Sequence, residues 1–439
     1  APGRTPRHQH RGDTTLDKLV VEGGRPLAGS IRTAGSKNAV LPILAASILS
    51  RETLTVKGAP RLSDVHTMLD VLRGLGATAD QDADGTVHIS CENDLAGLAP
   101  WEHVRKMRGS VCVLGPLLGR LGRAQVSLPG GCVFGERPID VHLKGLEALG
   151  ATVTIEGGDV IAEAPEGGLR GATMYLGSAF GPSVLGTANV MMAACLAKGT
   201  TVIQGAACEP ELVDLADCLN LMGAAITGQG SPTLTIEGVD ELGGAEHTVI
   251  PDRIEAGTYI LAGSLTDSPI RVEGCRPDHL TCMFDRMSAA GLSFEIGPDW
   301  VETIPIGRQP RSTDVATNVY PGFPTDLQAQ WITLMTQADG ISVVTERIYP
   351  DRWMHVPELQ RLGARVRRQN NIAIVTGTDR MSGAPVTASD LRASAALVLA
   401  GLVADGTTEV HRVYHIDRGY EHIEERLEGV GAAIRRTKE

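Results

Sequence analysis

No stretch of this sequence stays apolar for the ~20 residues that a membrane span requires. The longest apolar runs, such as residues 40–49, fall well short. The sequence also lacks any C-x-x-C pair: its eight cysteines are scattered. That argues against a zinc site or a disulfide framework and suits a reducing compartment. Positive charge is in deficit too. Lys and Arg number 40 against 52 Asp and Glu, a formal net charge of -12, which argues against nucleic acid as the main partner but leaves room for a local cationic pocket. Residues 1–15 read as a disordered tail, because the first fourteen are polar and basic with none of the apolar centre of a targeting peptide. The glycine-rich stretch 177–186 has neither the Lys-Ser/Thr ending of a P-loop nor the spacing of a dinucleotide fingerprint, so it reads as a shaped loop. These absences leave the expectation of a soluble, cytoplasmic chain, its 439 residues enough for two or three domains.

What is present is repetition. A helix ending in a hydrophobic residue and glycine recurs at Gly76, Gly150, Gly223, Gly291, Gly363 and Gly431, at spacings of 74, 73, 68, 72 and 68 residues. Glycine there suits a left-handed helix cap, and the residues that follow alternate as a strand, as in 151–155. Each copy also holds a helix that is apolar nearly all round, predicted over 38–49, 110–118, 187–197, 255–265, 326–335 and 390–403. A helix without a polar face must be buried on every side. A strand follows, as at 200–203 or 407–410, then a loop and an amphipathic outer helix, as at 139–149 or 420–427. Six buried helices are too many for one core. The pattern therefore predicts an α/β (α+β) fold of two globular domains, three units each, with sheets wrapped around inner helices. The joint is expected near 243–251, and the strand at 16–21 could pair with either half.

Polar residues that break the pattern fall at two equivalent places. One is the start of an inner helix, with Lys37, Asn38, Arg108, Asp326 and Arg392; the other is the strand-to-helix loop, with Cys132, Arg137, Arg352 and Arg418. Helix N-termini expose unpaired N–H groups and a positive dipole end, so they favour anions. Cys132 sits among Gly130, Gly131 and Gly135, near Arg137. This is either a reactive thiol near positive charge or a small apolar residue in a surface turn. Asp326 alone reads equally as an N-cap, and Arg418 could pair with the adjacent Asp417 at the surface. His415, Trp331 and Trp353 read as structural. If the two domains face each other, the loops and helix starts converge on the cleft between them, combining cations, a thiol and a carboxylate for a small, highly anionic substrate.

Several motifs carry a resemblance. They are G-S-K-N-A at 35–39, K-M-R at 106–108, P-G-G-C-x-x-G-x-R-P-x-D at 129–140 and P-D-R-I-E at 251–255. F-P-T-D-L-Q-A-Q at 323–330, R-W-M-H-V-P-E-L at 352–359, D-L-R-A-S at 390–394 and H-I-D-R-G-Y-E at 415–421 complete the set. In this order the chain resembles the UDP-N-acetylglucosamine 1-carboxyvinyltransferases, a family of enolpyruvyl transferases. The resemblance implies two inside-out α/β barrels, 37–250 and 16–36 plus 251–439, with the active site in the cleft between them. It implies phosphoenolpyruvate and UDP-N-acetylglucosamine as partners, with neither nucleic acid nor membrane, and it is compatible with a homo-oligomer. It implies no metal and no cofactor, the protein supplying the cations.

By the same resemblance Cys132 is the general acid at C3 of the enol, and Asp326 accepts the proton of the sugar hydroxyl. Lys37, Arg137 and Arg418 hold phosphate and carboxylate, with Arg108 and Arg392 supporting charge nearby and Arg352 among the substrate contacts. Asn38 contacts the sugar side; Arg137, Pro138, Ile139 and Asp140 border the uridine, and Ser183, Val184 and Ile348 complete the substrate contacts. Two departures from the family pattern stand out: a longer segment at 178–189, and Cys208 where arginine is common. The competing readings are an enolpyruvyl transferase with another acceptor, such as UMP or a shikimate phosphate, and a non-catalytic homologue that binds a UDP-sugar.

Overall fold

The computed structural model describes residues 17–99, 101–105, 107–128, 139–178 and 181–439; the tail reading for 1–15 lies outside them. All six repeat glycines take positive φ, from 72° at Gly291 to 106° at Gly223. Each ends its outer helix in the left-handed conformation that only glycine adopts without steric cost.

Five four-stranded sheets share one topology: an edge strand parallel to its neighbour, then two antiparallel pairings. In the third unit Thr173–Tyr175 lies parallel to Thr200–Gln204, which pairs antiparallel with Thr233–Glu237, and that with Ala225–Thr227. The second unit has three strands, and a single parallel bridge from Leu98 to Gln125 stands where the edge strand would be. The strand Asp17–Glu22 pairs antiparallel with both Thr407–His411 and Ala433–Lys438, inside the sixth unit's sheet. The strand Gly29–Arg32 lies parallel to Ile270–Glu273 as the edge of the fourth.

Buried apolar residues form two cores among the described residues. One draws on positions 39–249 and is called here the N-lobe; the other draws on 19–31 and 254–434 and is called the C-lobe. The inner helices are Lys37–Ala46, Leu114–Leu121 and Val184–Ala194 in the N-lobe, and Arg253–Leu265, Gln328–Met335 and Leu391–Val403 in the C-lobe. In the last of these every residue from Arg392 to Leu402 is buried. The N-lobe helices approach so closely that a Cβ on Gly115 would stand 2.1 Å from the Asn189 carbonyl oxygen. The Asn189 side chain stitches this contact: its Oδ1 accepts from the Gly115 N–H at 2.7 Å and its Nδ2 donates to the Val111 carbonyl at 2.9 Å.

Two helix predictions change. The second and fifth inner helices open with a 3₁₀ turn, Arg108–Val113 and Thr325–Leu327. The last outer helix runs over Ile423–Glu428 and not from 420, because the Tyr420 hydroxyl is drawn into the core beside Thr258 at 2.9 Å and His422 takes a left-handed conformation.

Candidate active site

The second inner turn of the C-lobe lifts Asp326 out of the helix register. Among the described residues no backbone N–H donates to its side chain, so the N-cap reading of this residue fails. Its carboxylate faces two guanidinium groups: Oδ1 accepts from Arg352 Nη1 at 2.6 Å and Oδ2 from Arg392 Nη2 at 3.0 Å. The arginine side chains are 8% and 2% exposed, whereas that of Asp326 is 24% exposed. Burial alone would raise the Asp326 pKa, but Arg392 and Arg352 outweigh it and hold the carboxyl far below its ordinary range. The Arg392 guanidinium lies 5.5 Å from the Tyr420 ring, and among the described residues its Nε and Nη1 find no acceptor at hydrogen-bonding geometry.

A second cluster joins the lobes. Asp64, in the first turn of the helix Ser63–Leu75, accepts from Lys37 Nζ at 2.7 Å and from Arg418 Nε at 2.9 Å and Nη2 at 3.3 Å. Lys37 opens the first inner helix of the N-lobe, whereas Arg418 ends the 3₁₀ turn Val413–Arg418 of the C-lobe. Arg418 therefore does not pair with its neighbour; Asp417 takes Arg436 instead, at 2.6 and 3.0 Å. Burial lowers the Lys37 pKa, against the pull of Asp64; Arg418 and Arg392 push the same way as burial. Asp64 is itself held below its ordinary range: burial would raise it, but Lys37 and Arg418 prevail.

Arg392 of the first cluster also acts on Lys37 of the second, less than burial, Asp64 and Arg418 do. Lys37, Arg418, Arg352 and Arg392 thus gather around Asp64 and Asp326, with Asp390 acting on Arg352 and Asp252 on Arg392. Among the described residues no group of three or more His, Cys, Asp or Glu side chains could hold a metal ion. No helix among them is long and apolar enough to cross a membrane.

Other expected positions are spread along the same helix starts. Asn38 is half-buried beside Lys37, and Arg108 heads the second inner turn. Ile139 is buried and precedes the helix Asp140–Ala148, whose first residue, Asp140, is exposed. Ser183 caps the third inner helix, accepting from the Gly186 N–H at 3.1 Å, and Val184 is its first residue. The Ile348 N–H donates to Glu346 Oε1 at 2.8 Å. Cys132, Arg137 and Pro138 lie outside the described residues. Trp331 and Trp353 are buried, and His415 packs against Tyr414 with ring centroids 4.3 Å apart.

Sequence reasoning missed Asp64 and Glu346. Glu346 is fully buried and accepts from Thr317 and Thr325 hydroxyls at 2.7 and 2.9 Å, steadying the turn that carries Asp326. An acid one residue after a serine at a helix start reads as ordinary first-turn chemistry, and nothing in the pattern marks it as a partner of Lys37.

The family profile of EPSP synthase (3-phosphoshikimate 1-carboxyvinyltransferase) matches residues 21–427. A UDP-N-acetylglucosamine 1-carboxyvinyltransferase of Methylacidiphilum infernorum (isolate V4) is 52% identical over 96% of this chain and 99% of its own length. The chain belongs to the UDP-N-acetylglucosamine 1-carboxyvinyltransferase family. Another member, from Desulfosudis oleivorans, is 51% identical over 96% of this chain and 100% of its own. Among solved structures, the enolpyruvyl transferase NikO from Streptomyces tendae superposes with a TM-score of 0.87 at 26% identity, covering 97% of this chain and 100% of NikO. EPSP synthase from Acinetobacter baumannii has the same fold, with a TM-score of 0.73 at 17% identity over 97% and 100% of the two chains. The α/β two-domain fold read from the repeats is the fold of these enolpyruvyl transferases.

Proposed function

We propose that this chain transfers the enolpyruvyl group of phosphoenolpyruvate to the 3-hydroxyl of UDP-N-acetylglucosamine and releases phosphate, the first committed step of peptidoglycan precursor synthesis. Its place would be the cytoplasm, in cell-wall biogenesis and hence in cell shape and division. The two domains would be 37–250 and 16–36 plus 251–439. The observation that carries this reading is the joint cluster of Asp326, Arg352, Arg392, Lys37 and Arg418, drawn from both lobes, in a chain about half identical to enzymes of that name.

In the proposed reaction Cys132 donates a proton to C3 of phosphoenolpyruvate and C2 becomes oxocarbenium-like. The sugar 3-hydroxyl forms the new C2–O bond and yields its proton to Asp326. The ketal then loses phosphate from C2 and a proton from C3, leaving the enolpyruvyl ether. Lys37, Arg137 and Arg418 would hold phosphate and carboxylate, with Arg108 and Arg392 beside them; a guanidinium that gives Asp326 only one N–H has others to offer an anion. A carboxylate held as low as Asp326 is a weak base. It suffices here because a hydroxyl attacking a cationic carbon becomes strongly acidic as the bond forms, so the proton moves late. Asn38, Arg137, Pro138, Ile139, Asp140, Ser183, Val184, Ile348 and Arg352 would complete the nucleotide-sugar contacts.

Phosphate release from phosphoenolpyruvate, measured with UDP-N-acetylglucosamine and with UMP in parallel, tests the reading. Release with the nucleotide sugar alone is expected; release with UMP alone, or none with either, would reject it. The epoxide fosfomycin should label Cys132, and Cys132→Asp should keep measurable turnover while resisting the epoxide, since a carboxylic acid donates a proton without being alkylated as a thiol is.

A further inference from the structure

The chain passes between the lobes twice among the described residues, near 32–36 and 249–253, and the two passages are bonded to each other. The Ser36 N–H donates to the Ile250 carbonyl at 2.8 Å and the Asp252 N–H to the Ala34 carbonyl at 2.9 Å, around an antiparallel bridge between Gly35 and Pro251. Only glycine fits at 35, where a Cβ would stand 2.0 Å from the Gly58 carbonyl oxygen.

Both passages are held by acids in the first turn of the C-lobe helix Arg253–Leu265. The Ala34 N–H donates to Glu255 Oε2 at 2.7 Å. Asp252, 4% exposed, divides its two oxygens. Its Oδ1 caps its own helix, accepting from Ile254 and Glu255 N–H groups at 2.8 and 3.0 Å. Its Oδ2 reaches into the other lobe and accepts from the backbone N–H of Lys37 at 3.2 Å. That N–H is one of the orphan donors of the first N-lobe helix, and it belongs to the residue whose ammonium meets Asp64.

We propose that Asp252 is a positioning residue: it anchors the backbone of Lys37 to the C-lobe, so the Lys37 ammonium is registered against Asp326 and Arg392 and not against the N-lobe alone. The inference rests on the reading that Lys37 binds phosphoenolpyruvate. An Oδ1-only cap would serve the helix as well; the second oxygen is the part that bears on the site.

Asp252→Asn separates the two tasks. Its amide oxygen can still cap the helix, but its NH₂ group presents a donor to the Lys37 donor. The expected result is a KM for phosphoenolpyruvate raised about tenfold, with the KM for UDP-N-acetylglucosamine within about twofold of the unaltered chain and the Tm nearly unchanged. Exchange of the Lys37 amide proton, followed by NMR, should quicken in the same variant. Asp252→Ser, which caps with one oxygen only, should behave alike. Unchanged kinetics in both variants would overturn the proposal. So would a joint fall in Tm and rise in both KM values, or failure of both variants to fold, since each makes the role structural. If the unaltered chain itself releases no phosphate, the functional reading fails first.

Discussion

In the N-lobe the first and third inner helices are capped by serines, Ser36 and Ser183, each accepting one N–H at 3.4 and 3.1 Å. In the C-lobe the equivalent caps are aspartates, Asp252 and Asp390, each accepting two N–H groups at 2.8 and 3.0 Å through one oxygen. The middle helix of both lobes lacks a side-chain cap and opens with a 3₁₀ turn, which carries Arg108 on one side and Asp326 on the other. The frame is the same and the charge differs. The N-lobe helices carry neutral caps of their own, the first borrowing an oxygen of Asp252, whereas the C-lobe helices begin with anions that offset their dipoles and, after Asp326, help to hold Arg352 and Arg392 by charge. The N-lobe is thus disposed to receive an anion, and the C-lobe already contains one.

The largest expected break in this comparison is Asp326→Asn. It should lower kcat by about a thousandfold and also lower Tm, because an amide cannot neutralise two buried guanidinium groups. Arg108→Gln, at the equivalent turn, should cost about tenfold in kcat/KM with little change in Tm. Equal losses in phosphate-release assays would erase the distinction.

Next comes Ser36→Asp, which gives the N-lobe a C-lobe cap. Aspartate caps as well as serine, so Tm should hold. A carboxylate beside Lys37 should nevertheless raise the KM for phosphoenolpyruvate several-fold, and an unchanged KM would show that the helix end does not attract the substrate.

Smaller still is the caps' share of stability. In urea unfolding Asp390→Ala should cost about 2 kcal/mol and Ser36→Ala about 0.5 kcal/mol. A reversed order would contradict the bond counts.

The remaining contrasts show only when pH is varied. His142 in the N-lobe and His355 in the C-lobe are buried, and burial pushes each down to about 4; Arg108 adds to this for His142 and Arg352 for His355, against Asp140 and Asp390 respectively. Because the folded values lie below the unfolded one, the unfolded chain takes up these protons first. Their contribution is intact above about pH 6.5 and is lost as pH falls toward about 4. Glu255 acts oppositely. Burial, helped by Asp252 and resisted by Arg426, raises it to about 7, so the native state keeps its proton longer and stability declines as pH rises from about 4.5 to about 7. His142→Gln should flatten the acid slope of urea stability and Glu255→Gln the neutral one.

The fold was legible because its signals are local and repeated. A glycine that needs positive φ and a helix with no polar face each state their own environment, and six copies leave little room for error. The placement of Lys37, Asp326, Arg392 and Arg418 on helix starts and loops could be read for the same reason. What could not be read was pairing over distance. Arg418 had an acid beside it in the chain, yet its partner is Asp64, brought near by the docking of two lobes. Asp326 resembled a cap until two arginines, Arg352 from the far end of its own unit and Arg392 from the next, took both its oxygens. Hydrogen-bond choices of this kind depend on which donors the tertiary fold brings together, and no periodicity encodes that.

Asp17–Glu22 lies between Thr407–His411 and Ala433–Lys438 in one sheet, so the N-lobe is an excursion out of a module closed by strands far apart in the chain. On the ribosome the N-lobe has all its core residues in one unbroken segment and can mature during translation. Its companion must wait for residues 433–438 to emerge. The contacts of Asp326 with Arg392 and of Asp64 with Arg418 can therefore form only after synthesis has passed all four residues.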